Sequence, residues 1–431
     1  MHSIKVVIIG SGSTYTPELI EGFLHRKDSL PLKSLYLVDI DERKRRIVGD
    51  LCERMLRAEG VLCPVVQTED LDEALPDADF VLTQIRVGKL PCRVLDEKIP
   101  LRHNLIGQET CGIGGMFKAL RTIPVLLEIC RKIERLCPHA WLINFANPSG
   151  IVTQALLNHT KVRMMGLCNV PYNMFKSIRE QMSLSKDAFI EYVGLNHLSW
   201  LTAIHDQGID MLKEAIAKGI NSESMKNIPA QGFDKELIRQ VGAIPSSYME
   251  YYYFKEKKLA LLQEAAQTRG EECMQIEENL LALYDDNALH VKPALLAKRG
   301  GANYSEVAVS LVNAIHNDLR ETHVVNTLNR GALPFMADDD AIEISAVISK
   351  SGAEPIPVAK DFHNEHIAAY MRMLKTYERE TVTAALYGDK DAAMRALMIN
   401  PLAGDYTVSK NCFEEMLQAH RAFLPQFTSE A

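Results

Sequence analysis

The most constraining feature of this sequence is its opening, where a β-branched apolar run gives way to glycines and then to a helical pattern. Val6 to Ile9 predict a buried strand, and Gly10 and Gly12 end it. A helical spacing of apolar residues follows over 17–24, with Pro17 in its first turn. Glycines between a strand and a helix allow a phosphate group to approach the backbone, and the helix N-terminus attracts anions. The opening therefore predicts the first unit of a nucleotide-binding α/β domain.

Short apolar runs alternate with helical patterns as far as residue 168. This alternation predicts a doubly wound parallel sheet of the Rossmann type over residues 1–168. From residue 169 onward, strand-like pieces mix with longer helical patterns, so we expect a mixed α/β domain over 169–431 that closes on the first. The long helices are expected at about 256–284, 366–387 and 409–422.

Charge and cysteine content narrow the class of protein further. The chain carries 48 Lys and Arg against 56 Asp and Glu, a net charge of -8 that gives no general attraction to nucleic acids or anionic membranes. No apolar stretch approaches the roughly 18 residues of a membrane helix, and the N-terminus has no secretory pattern. The nine cysteines are scattered, which is typical of free thiols in a reducing compartment. We therefore expect a cytoplasmic enzyme.

The predicted strand ends place several polar residues where α/β sheets bind ligands. Ligands bind beyond the carboxyl ends of parallel strands, and Asp39, Asn147 and Cys168 follow three such ends. Asp39 stands where an acid bonds the ribose hydroxyls of NAD and repels the extra phosphate of NADP. Tyr15 replaces the third glycine of the usual dinucleotide fingerprint, so an ordinary turn without a ligand remains the alternative. The expected NAD contacts are Gly10, Gly12, Ser13, Thr14 and Asp39.

Two residues near the predicted crevice have side chains that bind metals. Alone, Cys168 is more typical of a buried apolar position and His197 of a hydrogen-bonded histidine. Together, a thiolate and an imidazole near one crevice favour a shared metal ion with positions left for substrate and water. The glycine-dense segment 107–115 either connects two elements or directs Glu109 into the crevice. The tyrosine run that begins at Tyr248 is also compatible with the aromatic face of a helix.

These segments together resemble glycoside hydrolase family 4, and within it the 6-phospho-β-glucosidases. The segment Cys168-Asn169-Val170-Pro171 is similar to the β-specific branch, because the α-specific branch has Asp after the Cys. The resemblance extends in order along nearly the whole chain. Its other segments are 10–19, 85–88, 107–115, 144–150, 194–197, the tyrosines from Tyr248, Arg299-Gly300-Gly301 and Tyr304-Ser305.

The resemblance implies a fold like that of the lactate and malate dehydrogenases, with NAD and a divalent metal, most often manganese, as cofactors. It implies that Cys168 and His197 bind the metal, that Tyr248 is the catalytic base and that Glu109 increases its basicity. Asn169 occupies the catalytic position that supplies the general acid in the α-specific branch. Since an amide cannot donate that proton, we expect a water molecule to do so. The substrate contacts implied are Arg93, Asn147, Asn169 and Arg269.

The implied reaction differs from that of most glycosidases, which place two carboxylates across the scissile bond. NAD takes a hydride from C3 of the sugar, Tyr248 removes the C2 proton, the C1 substituent leaves, and water and hydride are then added back. The resemblance thus implies an enzyme that converts phosphorylated disaccharides or aryl β-glucosides to glucose 6-phosphate and an aglycone, and it also implies a homodimer or homotetramer. The alternatives left open are a 6-phospho-α-glucosidase or other family 4 specificity, an NAD-dependent 2-hydroxyacid dehydrogenase and a non-catalytic NAD sensor.

Overall fold

Strand β1 (Ile4–Ile9) is buried at every position because the sheet continues on both of its sides. It pairs in parallel with β2 (Leu32–Val38) and with β4 (Phe80–Thr83). The computed structural model describes residues 2–222, 232–300, 303–360 and 362–427. Within them the other strands are β3 (Val65–Thr68), β5 (Trp141–Asn144), β6 (Arg163–Gly166), β7 (Phe189–Leu195), β8 (Leu198–Asp206), β9 (Ile209–Asp210), β10 (Ile244–Pro245), β11 (Glu321–Leu328), β12 (Ala341–Ser349) and β13 (Gly352–Pro355).

The strands form one continuous sheet with a parallel half and an antiparallel half. Its order is β10-β8-β7-β12-β11-β6-β5-β4-β1-β2-β3, with β9 beside β8 and β13 beside β12. From β3 to β6 along this order, every pair of neighbouring strands is parallel. This confirms the doubly wound sheet predicted for the first part of the chain. The pairs from β6 to β10 are antiparallel. The whole is therefore an α/β fold with a mixed second part.

Alternate residues of β1 face two different apolar cores, as the two-residue period of a strand requires. Val6 and Ile8 pack in the same core as residues of the helix at 304–316, while Val7 and Ile9 pack on the other face with residues of the helix at 112–136. Segments from late in the chain thus cover strands from its beginning. The division into domains at residue 168 stays a prediction.

The helices cover both faces of the sheet. Within the described residues, no helix is long and apolar enough to cross a membrane. The helices are α1 (Thr16–His25), α2 (Glu42–Ala58), α3 (Leu71–Ala74), α4 (Lys89–Arg102), α5 (Gly112–Leu136), α6 (Ser149–His159), α7 (Val170–Met182), α8 (Leu212–Lys218), α9 (Lys235–Val241), α10 (Glu250–Tyr253), α11 (Lys255–Glu264), α12 (Arg269–Tyr284), α13 (Tyr304–His316), α14 (Glu365–Tyr387), α15 (Lys390–Ile399) and α16 (Tyr406–His420).

The prediction of a single helix at about 256–284 is wrong, because the segment forms α11 and α12 with a break between them. Thr268 starts the second helix: its side chain accepts from the N–H of Glu271, and the Glu271 carboxylate accepts from the N–H of Thr268. This reciprocal capping satisfies backbone donors that a continuous helix would have bonded internally. The break places Arg269 in the first turn of α12.

One cross-strand row of residues joins the two halves of the sheet. Gly166 of β6 pairs with Asn326, Asn326 with Glu343, Glu343 with Gly194, and Gly194 with Ser199. The hairpin of β11 and β12 therefore lies between β6 and β7. Cys168 follows β6 and His197 follows β7, so the two residues lie near opposite ends of this row.

Candidate active site

The glycine turn after β1 is held by the carboxylate of Asp39. Gly10 has φ +88°, a conformation that favours glycine, and its N–H donates to the carbonyl of Val38 at 2.8 Å. The N–H of Gly12 donates to Oδ2 of Asp39 at 2.8 Å. A Cβ atom at Gly12 would lie 2.9 Å from the same carboxylate oxygen, so a larger residue has no room there. Asp39 thus shapes the turn in which the sequence places a nucleotide.

Two hydroxyl groups in this turn fit the phosphates of a dinucleotide. Ser11 and Thr14 are buried, and neither hydroxyl has a hydrogen-bond partner within the residues that the structure describes. Helix α1 follows the turn without a side-chain cap at its start. Buried hydroxyls normally have partners, and a helix start attracts anions, so phosphate oxygens would satisfy both features. Ser11 is missing from the contacts predicted by sequence, while Oγ of Ser13 accepts from the Tyr15 N–H at 3.3 Å.

Cys168 and His197 meet in a buried pocket. Their Sγ and Nε2 atoms lie 3.5 Å apart, and both residues are at most 5% exposed. His197 reaches this position from a turn in which its φ is +66°. Burial lowers the pKa of His197 to about 3, so its imidazole is neutral, and burial raises the pKa of the Cys168 thiol. A neutral imidazole is the form that binds metals.

The pair fits a divalent metal, with most of its coordination left open. Two atoms bonded to one metal at about 2.1 and 2.3 Å are separated by a distance similar to that between Sγ and Nε2. A bound cation deprotonates a coordinating thiol, which would reverse the effect of burial on Cys168. No third His, Cys, Asp or Glu completes such a cluster in the described part of the chain. Oxygen atoms of substrate or water would have to fill the remaining positions.

The ring of Tyr248 stacks on the ring of His197. Their centroids are 3.7 Å apart and their planes differ by 9°. The phenol oxygen lies 3.5 Å from the hydroxyl of Thr110. Burial, followed by the neighbouring thiols of Cys111 and Cys168, raises the pKa of Tyr248 above its ordinary value. Tyr248 is therefore close to both proposed metal ligands, and it requires a positive charge nearby to ionise near neutral pH.

Glu109 contacts three cationic side chains. Its carboxylate pairs with Arg86, with Nη1 of Arg93 at 2.9 Å and with Nζ of Lys118 at 2.5 Å. Burial would raise the pKa of Glu109, but the charges of these three groups together lower it well below its usual value. The structure thus brings Glu109 into a buried charge cluster, while the phenol of Tyr248 lies beside Thr110. The proposed influence of Glu109 on Tyr248 stays a prediction.

Lys118 belongs to this cluster and was missed by the sequence reasoning. Burial, then the charge of Arg86, lowers its pKa to about 7 despite its contact with Glu109. A sequence signal does exist, because Lys118 lies between Phe117 and Ala119 in an otherwise apolar stretch of α5. A lysine in such a stretch is almost never buried unless it is paired.

The residues predicted to contact substrate are at different depths. Arg93 is buried and donates from Nε to Glu97 at 2.8 Å. The other carboxylate oxygen of Glu97 accepts from the N–H of Gly270 at 2.7 Å, next to Arg269. Glu97 therefore connects the two predicted arginines. Arg269 itself donates to the carbonyl of Lys298 at 2.8 Å and pairs with Glu272.

The remaining predicted residues follow strand ends or precede helices. Asn147 is half-buried after β5, and Asn169 is buried at the start of α7, directly after Cys168. The guanidinium of Arg299 lies 5.5 Å from the centre of the Tyr15 ring, beside the glycine turn. Gly301, which belongs to the same sequence motif, lies outside the described residues.

Comparison with known proteins gives matches along nearly the whole chain. The model of "Family 4 glycosyl hydrolase" matches residues 5–184, and that of its C-terminal domain matches residues 192–403. A "Probable 6-phospho-beta-glucosidase" of Bacillus subtilis is 43% identical over 98% of both chains. A 6-phospho-beta-glucosidase of Escherichia coli is 40% identical, over 99% of this chain and 97% of the other. A 6-phospho-alpha-glucosidase of Leptotrichia buccalis is less similar, at 29% identity over 99% of both chains.

Solved structures agree with these matches. The 6-phospho-beta glucosidase of Thermotoga maritima, solved with manganese, NAD+ and glucose-6-phosphate, has a TM-score of 0.89 and 32% identity, over 97% of this chain and 99% of that one. Malate dehydrogenase of Plasmodium falciparum has a TM-score of 0.54 and 11% identity, over 90% of this chain and 100% of that one. The second likeness concerns the fold alone and confirms the predicted similarity to the dehydrogenases.

Proposed function

Since this chain belongs to family 4 of the glycosyl hydrolases, we propose that it hydrolyses 6-phospho-β-glucosides to glucose 6-phosphate and an aglycone, with NAD and a divalent metal, most often Mn²⁺, as cofactors. The observation that carries the proposal is the buried group of Cys168, His197 and Tyr248, which places two metal-binding atoms against a phenol. The β-glucosidase names of the more similar relatives support the substrate class.

The glycine turn and the thiol–imidazole pair are the parts of the chain that would hold the cofactors. The hydroxyls of Ser11 and Thr14 would donate to the phosphates of NAD, and Asp39 would keep the turn in shape. When bound, NAD accepts and returns a hydride, and the metal polarises the substrate oxygens next to the carbon that loses a proton. Cys168 and His197 would hold that metal against the substrate.

Tyr248 is the residue that we assign to proton removal at C2. Its phenol oxygen must lose its own proton first, and burial opposes the negative charge that results. The hydroxyl of Thr110, at 3.5 Å, can donate to the phenolate once it forms. The stacked ring of His197 fixes the plane of the phenol and so the direction of its oxygen.

Asn169 bears on which anomer the enzyme prefers. Its amide follows Cys168 directly, where the α-specific branch has an acid, and an amide does not donate a proton to a leaving group. A β-preference follows, with the leaving oxygen protonated by water. Arg93, Asn147 and Arg269 are assigned to substrate binding, and Glu109 would influence Tyr248 through the charge cluster that it shares with Lys118.

Product analysis tests the proposal. Purified protein with NAD and Mn²⁺ should release glucose 6-phosphate from 6-phospho-β-glucosides faster than from natural 6-phospho-α-glucosides. In deuterium oxide the sugar product should carry deuterium at C2. Protium retained at C2 would contradict the elimination route, and faster cleavage of α-substrates would contradict the anomer. Stoichiometric NADH from a 2-hydroxyacid would favour a dehydrogenase, and NAD binding without turnover would favour a sensor.

The assembly and location of the enzyme are also part of the proposal. Resemblance to the family supports a homodimer or homotetramer that takes a phosphorylated sugar in the cytoplasm. Light scattering coupled to gel filtration would give the mass of the particle, and a mass of 48.3 kDa, that of a single chain, would contradict the predicted assembly.

A further inference from the structure

A buried carboxylate lies in the middle of the cross-strand row that links the two halves of the sheet. Glu343 of β12 is 1% exposed. Its Oε2 accepts from the hydroxyl of Tyr192 at 2.8 Å, and its Oε1 accepts from the side-chain amides of Asn196 and Asn326, each at 2.9 Å. All of these donors are neutral. Within the described residues, no Lys, Arg or His forms an ion pair with Glu343.

Asn196 connects this carboxylate to both proposed metal ligands. It precedes His197 in the turn after β7, and burial raises the pKa of the Cys168 thiol while a hydrogen bond with the Asn196 side chain opposes that effect. One amide group thus contacts the buried carboxylate on one side and the ligand sulfur on the other. An amide fixed by a carboxylate keeps its donor hydrogens in set directions, and such outer contacts control how ligands are oriented.

We propose that Glu343 is a positioning residue for the metal site: through Asn196 it orients the sulfur of Cys168, and its negative charge completes the charge balance around a divalent cation. This inference rests on the proposed function, because it takes Cys168 and His197 as the ligands.

The charge balance follows from counting the groups around the pocket. A divalent cation held by one thiolate and one neutral imidazole keeps one unit of positive charge, which is costly to bury. Two other buried carboxylates nearby are already compensated, since Glu109 contacts three cations and Glu378 pairs with Lys375. Of these three carboxylates, Glu343 is the one that has no ion pair within the described residues, so its charge can offset that of the metal. Burial raises its pKa, and a nearby cation would favour its ionised form.

The test is to measure metal binding by Glu343→Gln, which keeps the shape of the side chain but removes its charge. Affinity for Mn²⁺, measured by calorimetry on the full chain, should fall by roughly 10- to 100-fold, as is typical when such an outer partner is lost. In the Co²⁺-loaded protein the thiolate-to-metal charge-transfer band should shift, which a purely structural role of Glu343 would not cause. NAD affinity should stay unchanged, since four strands of the sheet lie between β12, which carries Glu343, and β1, which leads into the glycine turn.

Two further variants keep the test decisive. Tyr192→Phe removes one hydrogen bond but keeps the charge, so it should weaken Mn²⁺ binding much less than Glu343→Gln. Asn196→Ala breaks the link while Glu343 remains, and it should shift the cobalt band even if Glu343→Gln does not fold. Wild-type Mn²⁺ affinity and an unchanged cobalt band in Glu343→Gln, or in Asn196→Ala if the first variant is unfolded, would overturn the inference.

The metal titration does not depend on the sugar substrate. Weaker metal binding by Glu343→Gln in a protein that cleaves no phosphoglucoside would therefore uphold this inference and contradict the proposed function alone. Glucosidase activity of the wild-type protein, together with an unchanged metal affinity in Glu343→Gln, would support the proposed function and contradict this inference.

Discussion

The sulfur of Cys168 lies 3.5 Å from Nε2 of His197, although two strands of another segment separate the strands that lead to them. Each ligand is placed by the end of its own strand, β6 for Cys168 and β7 for His197. The fixed width of the inserted hairpin then sets the spacing between the two strand ends. Strand pairing thus brings a thiol and an imidazole from separate segments of the chain to one place.

Replacing Cys168 by Ser should remove metal binding while leaving the fold intact. A hydroxyl is a much poorer ligand than a thiolate for a divalent ion, so Mn²⁺ affinity should fall by at least about 100-fold, more than for most outer partners. Calorimetric titration measures this, with activity lost in parallel. Cys63→Ser, at a half-buried thiol elsewhere, is the matched control and should bind Mn²⁺ normally. A metal-replete, active Cys168→Ser would show that Cys168 only packs.

Replacing Tyr248 by Phe should stop proton removal without changing binding. The ring still stacks on His197, but the basic oxygen is gone, so turnover should fall by roughly 10²- to 10⁴-fold. Hydrogen–deuterium exchange at C2 should fall with it, while NAD and Mn²⁺ affinities stay near wild type. Tyr253→Phe is the matched control: the phenol oxygen of Tyr253 hydrogen-bonds with Trp200 and His366, away from the candidate site, so this variant should retain turnover. A Tyr248→Phe variant with near-normal rate would exclude Tyr248 as the base.

Lys118 should make the stability of the protein depend on pH above neutrality. Its folded pKa is about 7, while an unfolded lysine holds its proton to about pH 10. Between these values the unfolded chain binds more protons, so the free energy of unfolding rises with pH, by up to about 1.4 kcal/mol per pH unit. Below about pH 7 both states are protonated and the contribution is constant.

Lys118→Met is expected to flatten this rise. Urea denaturation at pH 6.5, 7.5 and 8.5 measures how the free energy of unfolding changes with pH. The first value lies below the folded pKa of about 7 and the other two lie above it. Lys410→Met, at a half-exposed surface lysine, is the control and should keep the wild-type slope. Equal slopes for Lys118→Met and the wild-type protein would mean that Lys118 does not titrate in this range.

Replacing Gly12 by Ala should weaken NAD binding by displacing Asp39. The new Cβ would lie 2.9 Å from Oδ2 of Asp39, and relieving such overpacking costs about 1–3 kcal/mol, or roughly 5- to 150-fold in affinity. Fluorescence titration with NAD measures the loss. Gly60→Ala meets no atom within 4 Å, so it should lower stability through its positive φ without changing NAD affinity. Unchanged NAD affinity in Gly12→Ala would place the cofactor elsewhere.

The parallel half of the fold was predictable because its strands are local apolar runs separated by helices. The insertion of β11 and β12 between β6 and β7 was not, since pairing between residues such as Asn326 and Gly166 leaves no local periodicity. The break between α11 and α12 was missed although Thr268 and Glu271 stand three residues apart, the spacing of a capping box at a helix start. The reciprocal hydrogen bonds of these two residues in the structure identify the second helix start.

Much of the candidate site was predictable from resemblance, including Cys168, His197 and Tyr248. The family and the fold are confirmed by the comparisons, whereas the roles of these residues stay predictions. Lys118 and Glu343 were missed because a buried charge can be recognised only when the groups around it are known. A faint signal for Glu343 exists, as it interrupts the apolar run of β12.

The hairpin between β6 and β7 also fixes when the ligand pair can form during synthesis. A ribosome makes the chain from its N-terminus, and residues 1–182 can build most of the parallel sheet as they emerge. Cys168 is then present and His197 follows with the next strand, β7, but the strands that space the two residues end only at Ser349. The metal pocket is therefore one of the last parts of the molecule to assemble, and a nascent chain shorter than about four-fifths of the 431 residues cannot hold the ion in this way.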